Sequence, residues 1–129
     1  MQSDFENNLI EGEIADYLLT DEGILISYSK NVLRTVQNIS ENVTLVKKIT
    51  NNKPVPLLIY LRNSPVPDKE TRKFSTEKIP EIYSAMAMVS KPGLSQFIMK
   101  ILFKLQNPPI PMQSFTDGKK ALEWLKRFL

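Results

Sequence analysis

The run Val55-Pro56-Leu57-Leu58-Ile59-Tyr60-Leu61 is apolar at almost every successive position, and it is bracketed by Asn51-Asn52-Lys53-Pro54 and Arg62-Asn63-Ser64-Pro65-Val66-Pro67. Successive side chains of a strand point to opposite faces, so a strand of this composition needs cover on both sides. A central strand with helices packed over the sheet supplies that cover. The rest of the chain must therefore provide neighbouring strands and layers of helix.

It does so in order. Residues 14–20 (IADYLLT) and 23–29 (GILISYS) are strand-like runs joined by Asp21-Glu22 and Gly23, a turn of hairpin type. In the second run Ile24, Ile26 and Tyr28 alternate with Leu25, Ser27 and Ser29, which predicts one face on the core and one half wet. Val32, Val36, Ile39, Val43 and Val46 recur at helical steps, and this helix is expected to end by Thr50. After the 62–67 loop, Asp68 is placed to cap a short helix, DKETRKF, and Ser75-Thr76-Glu77 opens another short turn before Pro80. Tyr83 to Val89 reads as a strand. Ser90-Lys91-Pro92-Gly93 opens a helix with Leu94, Phe97, Ile98, Ile101, Leu102 and Leu105 on one face, widened by Met99 and Phe103. Asn107-Pro108-Pro109 ends it. A strand at 110–115 follows, then Thr116-Asp117 as a cap and a last helix with Ala121, Leu122, Trp124, Leu125, Phe128 and Leu129 on its apolar face. The order β-β-α-β-α-β-α-β-α predicts one α/β domain: an N-terminal β-hairpin, then alternating helices and strands in a mixed, mostly parallel five-stranded sheet with right-handed crossovers. Residues 1–11 are expected to form a flexible N-terminal segment.

The chemistry available to this domain is narrow. Its 129 residues, 42% hydrophobic and 24% charged, match a globular chain and exclude general disorder. Cysteine and histidine are both absent, which removes the usual zinc sites, thiol nucleophiles, disulfides and every triad with an imidazole base. Four glycines, none in phosphate-loop spacing, leave no nucleotide fingerprint. The acid pairs Asp21-Glu22 and Asp68-Glu70 fall at a turn and a helix cap, where carboxylates are routine. No catalytic residue, metal or cofactor is expected. The N-terminus is acidic and lacks an apolar leader, and no apolar run approaches the ~20 residues of a membrane span, so a cytoplasmic location is expected. The sequons at Asn38 and Asn42 read as chance in an unexported helix.

Charge is distributed unevenly. Residues 1–29 carry seven acidic groups and no basic one, whereas the rest carries all 17 Lys and Arg. Such asymmetry fits either acidic strands lying beside basic helices or subunits meeting end to end. The basic residues lack interleaved aromatics, which argues against nucleic acid. Lys100 and Lys104 beside the Met99 and Phe103 stripe suit a partner surface and self-association, with lipid or an anionic membrane as the alternative occupant.

The stretches IADYLLTDEGILISYS, PVPLLIYLRNSPVPDKETRKF and PPIPMQSFTDGKKALEWLKRFL, within residues 12–129, resemble the STAS (SpoIIAA-like) domains, in particular short bacterial proteins of unassigned function. The resemblance implies a non-enzymatic regulatory or protein-interaction module, homodimeric, whose partner loop and helix start correspond to Arg62, Asn63, Ser64, Asp68 and Thr71. In the anti-sigma-factor antagonists of this fold a serine at that helix start is phosphorylated, and the added dianion breaks a partner complex. Asp68 matches the family's aspartate. Lys69 and Glu70 stand where serines are expected, leaving Thr71 and Ser64 as the nearest hydroxyls. The lipid-carrying CRAL-TRIO domains share the general fold but are considerably longer.

Overall fold

The computed structural model describes residues 9–91 and 108–129. Within them the strands β1 (Ile10–Glu11), β2 (Ala15–Leu19), β3 (Leu25–Ser29), β4 (Val55–Tyr60), β5 (Tyr83–Val89) and β6 (Met112–Phe115) lie side by side in chain order as one sheet. The β1–β2 and β2–β3 pairs are antiparallel, and β3–β4, β4–β5 and β5–β6 are parallel. The mixed, mostly parallel sheet is as expected, with six strands instead of five. The extra strand is β1, drawn from the segment expected to be loose: Ile10 pairs with Tyr17 and Glu11 with Asp16. Lys30 fastens it further, bridging the Asp16 carboxylate at 3.0 Å and donating to the Gly12 carbonyl at 2.7 Å.

Among the described residues three helices cover the sheet: α1 (Val36–Ile49), α2 (Lys69–Ile82) and α3 (Gly118–Leu125), the last continued by a single 3-10 turn at Lys126–Phe128. Helices α1 and α2 bury Ile39, Val43, Val46, Ile79 and Ile82 against Tyr17, Leu25, Leu57, Met86 and Met88 on one face. Two successive crossovers advancing in one direction with a common hand place their helices on one side. Helix α3 packs Ala121 and Leu125 on Leu18, Ile24, Ile26, Leu58, Ala85 and Ala87 of the other face. Strand β4 is thus covered on both sides, with Leu57 1% and Leu58 0% exposed. Strand β3, expected to keep one face half wet, is buried over its first three residues, Leu25, Ile26 and Ser27, where α1 closes over its second face, and opens to solvent only at Tyr28 and Ser29.

Local chemistry sets the element ends. Thr35 and Asn38 form a reciprocal capping box that starts α1 at Val36, so Val32 packs on the core from the preceding loop instead of from the helix. At the other end Asn51 and Asn52 take φ of 54° and 63°, and the Asn52 N–H donates to the Lys47 carbonyl at 2.8 Å, the longer bond of a Schellman closure. The two short helices expected over 68–79 are one. The Thr76 hydroxyl turns back to the Arg72 carbonyl at 2.9 Å instead of capping a new start, and Pro80 sits inside the last turn of α2. Pro56 is accommodated in a central strand because β4 and β5 slip register between Val55 and Pro56. Asp117 caps α3 through the Lys119 N–H at 2.9 Å. A Cβ at Gly118 would stand 2.5 Å from the Tyr60 hydroxyl. Leu129, expected on the apolar face of the last helix, is 57% exposed because the helix gives way to the terminal 3-10 turn. The helix expected at 94–105 lies outside the described residues.

Truncating Leu58 removes a fully enclosed side chain between two packed layers. Leu58→Ala is expected to lower unfolding free energy by about 3 kcal/mol, measured by urea denaturation.

Candidate functional site

Parallel strands send their carboxyl ends in one direction, so the loop leaving β3 (Lys30–Thr35) and the loop leaving β4 (Leu61–Pro67) meet at one end of the sheet. A cavity of about 240 Å³ opens between them and runs under α1 and α2 along the sheet face. The register lays out its floor. Tyr17, Ser27, Ile59 and Met88 form one row across four strands, and Leu57 and Met86 belong to the next. The void has a visible cause: Ala15, Ser27 and Ser29 are small where their neighbours on the same face are large, so α1 rests on Tyr17 and the aliphatic rows and leaves space above the serines.

The interior holds few polar groups, and they are engaged. The Tyr17 hydroxyl donates to Asn42 Oδ1 at 2.9 Å, and the hydroxyls of Ser27 and Tyr83 lie within hydrogen-bonding reach of it. Burial pushes the Tyr17 phenol above its usual value of 10.0, and pushes Tyr83 well above it. Both are neutral at physiological pH. Asn42, half of a sequon dismissed as chance, is therefore a structural partner in this cavity, and Asn38 of the other sequon is buried in the α1 cap.

The mouth is cationic. Arg34, Arg62 and Arg72 line it, and no Asp, Glu or Lys does among the described residues. Arg34 is structural as well as charged. Its guanidinium donates to the carbonyls of Lys30 (2.7 Å), Val32 (2.7 Å) and Ile14 (3.0 Å) and to Ser29 Oγ (2.7 Å), pinning the β3–α1 loop to the end of β3 and to the bend that precedes β2. Burial pulls its pKa below the usual 12.5 without threatening the charge. Arg72 gives one N–H to the Pro67 carbonyl at 2.9 Å, and Arg62 is exposed.

The residues expected to form a partner loop divide into two sets. Arg62, Asn63 and Ser64 lie together on the cavity rim. Asp68 and Thr71 are joined to each other: the Asp68 carboxylate accepts the Thr71 N–H at 2.8 Å as the α2 cap. Thr71 is 4% exposed, so a kinase reaches its hydroxyl only if the first turn of α2 opens. Met99, Lys100, Phe103 and Lys104 lie outside the described residues. The acidic stretch over residues 1–29 contributes to one of the four ion pairs among the described residues, Asp16 with Lys30. The two helices over the cavity are tied to each other by Lys47 and Glu81 at 2.9 Å. No helix among the described residues is long and apolar enough to cross a membrane, and no group of three or more Asp or Glu among them could hold a metal ion.

Residues 17–129 match the family model described as a domain of unknown function, DUF7793. The chain belongs to the DUF7793 family. An uncharacterized protein of the DUF3478 family with a SpoIIAA-like fold, from Shewanella loihica PV-4, is similar to the DUF7793 domain with a TM-score of 0.62 and 16% identity, over 88% of this chain and 94% of that one. That likeness shows the fold, which is SpoIIAA-like as the resemblance implied. No curated protein matches the DUF7793 domain.

Tyr17→Phe leaves the Asn42 carbonyl without its buried donor and is expected to cost about 1 to 2 kcal/mol by urea denaturation. The Thr71 N–H holds the Asp68 carboxyl below its ordinary 3.8, so the unfolded chain takes up this proton at higher pH than the folded one. The contribution of this cap is complete at neutral pH and declines as acid carries the protein through the ordinary aspartate range and below. Asp68→Asn is expected to flatten that part of the stability–pH profile, measured as midpoint denaturant concentration against pH.

Proposed function

We propose that the DUF7793 domain is a non-catalytic binding module, and that its binding site is the cavity under α1 and α2 together with the rim formed by Arg62, Asn63 and Ser64. The observation that carries the reading is an apolar space of about 240 Å³ opening at the loop end of the sheet, in which the Tyr17 hydroxyl is already bonded to the Asn42 amide oxygen. Ligand sites are concave, mostly apolar and furnished with a few convergent polar groups. An engineered apolar cavity of about 150 Å³ binds benzene.

Nothing lining the cavity is suited to chemistry. Its phenols are neutral and raised in pKa, its one buried guanidinium is committed to four acceptors, and no carboxylate, imidazole or thiol lines it among the described residues. Occupancy instead has a route to the surface. The Leu61–Pro67 loop roofs the opening, and the exposed side chain of Val66 belongs to the same lining. A ligand beneath this loop alters the surface that the fold presents to a partner protein, which is the regulatory form of the proposal.

Benzene titrated into the methyl-labelled protein is expected to shift the resonances of Leu57, Ile59, Met86 and Met88 by NMR. Ser27→Leu, which fills the floor, is expected to abolish those shifts while keeping a folded spectrum; Ser29→Leu at the mouth serves as the second filling variant. Unchanged methyl resonances in the wild type would sink the reading.

A further inference from the structure

The geometry points to an amphipathic monocarboxylate as the occupant, with its carboxylate at the Arg62 and Arg72 mouth and an apolar body running inward over the Tyr17 to Met88 row. This rests on the reading of the cavity as the binding site and adds the ligand's chemical class, size and orientation.

Size comes first. Scaling from about 150 Å³ for a benzene-sized guest, a cavity of about 240 Å³ takes a body of roughly ten carbon atoms. A two-chain lipid is several times too large, whereas a medium-chain or arylalkyl acid fits.

Charge fixes the head group. The lining contains three guanidiniums and, among the described residues, no acid to neutralise them. Of the carboxylates beside Arg72 in the chain, Glu70 is exposed and outside the lining, and Asp68 faces Arg72 electrostatically but accepts the Thr71 N–H as the helix cap. Glu13 approaches the far side of the β3–α1 loop through Asn38 at 3.4 Å, and Asp16 is paired with Lys30. A cationic mouth with low-polarity walls attracts anions and repels ammonium groups. Arg34 supplies charge without a free fork, because its donors are bonded to Lys30, Val32, Ile14 and Ser29. Arg72 spends one N–H on Pro67 out of the five donors a guanidinium carries, and Arg62 projects from the rim. Those two residues are the ones placed to grip a planar carboxylate.

Orientation follows from the interior. Tyr17 is hydrogen-bonded to Asn42, and the buried phenols and Ser27 hold no charge, so an anion drawn down to them would lose its hydration without gaining a cation. The charge stays at the mouth and the apolar body occupies the depth.

Isothermal titration of the full chain with submicellar decanoate, decanol and decyltrimethylammonium tests this. Decanoate is expected to bind at least tenfold more tightly than decanol, with the ammonium weakest. Arg62→Gln should reduce the decanoate preference to about threefold or less while leaving decanol affinity unchanged, and added salt should erode the same preference. Arg72→Lys, which keeps charge but loses the planar fork, should weaken decanoate alone. Equal affinity for decanoate and decanol in the wild type would overturn the carboxylate assignment and leave the cavity as a binding site for neutral guests. No binding of any of the three probes, together with silence towards benzene, would overturn both.

Discussion

Leu57 and Leu58 are adjacent in sequence and face opposite layers, and neither retains contact with water. A strand with that property cannot be stable alone or at the edge of a sheet. It requires β3 and β5 on its flanks, α1 and α2 above and α3 below, and each of those elements then has its own register fixed by which face it must bury. Fully enclosing a leucine is worth about 2 kcal/mol relative to leaving it in water, so the pair outweighs any local preference in the loops around it. The cavity exists on this foundation: it is an interruption in an otherwise closed layer, held open because the two helices above it are propped on Tyr17 and the large side chains of β4 and β5 while Ala15, Ser27 and Ser29 are small.

The two arginine environments at the opening show how one residue type serves different ends. Arg34 is consumed by carbonyls and acts as a rivet between two loops and the end of β3. Arg62 has the exposure that recognition requires. Sequence alone does not separate them, since both follow strands and precede helices. Their roles are decided by which backbone carbonyls are left without partners nearby, a property of the turn geometry that emerges only after the strands have paired.

Much of the architecture was legible because it follows from patterns with a single solution. The doubly apolar run at 55–61 demanded a central strand, the three- and four-residue steps from Val36 to Val46 demanded a helix, and the Asp21-Glu22-Gly23 turn demanded a hairpin, which the structure closes between Thr20 and Ile24 with φ of 102° at Gly23. The misreadings have local causes. Strand β1 is two residues long and carries too little pattern to register. The serines of β3 looked like a solvated face because polarity was read as exposure, when in fact Ser27 is buried against Tyr17. Thr76 looked like a cap because a hydroxyl can satisfy either the next helix's N–H or its own helix's carbonyl, and here it does the latter. At the site, Arg62, Asn63 and Ser64 could be picked out as the loop beyond a central strand, whereas Asn42 and Tyr83 could not, since their meeting with Tyr17 joins elements far apart in the chain. Two serines two apart, Ser27 and Ser29, in a strand whose other residues are Leu25, Ile26 and Tyr28 were the available signal for a hollow floor.

The close approach of Gly118 to Tyr60 ties the last helix to the sheet in a way that reaches across the molecule. Tyr60 is stacked flat on Tyr28, with ring centroids 5.4 Å apart, so its hydroxyl has little freedom to swing aside. The glycine sets how near α3 can settle, and through α3 it sets the seating of Trp124 against Phe115 and Phe128. Positions 60 and 118 are therefore sterically coupled: without the Tyr60 hydroxyl, the nearest atom to a side chain at 118 is the ring Cζ at 3.5 Å, an ordinary van der Waals contact.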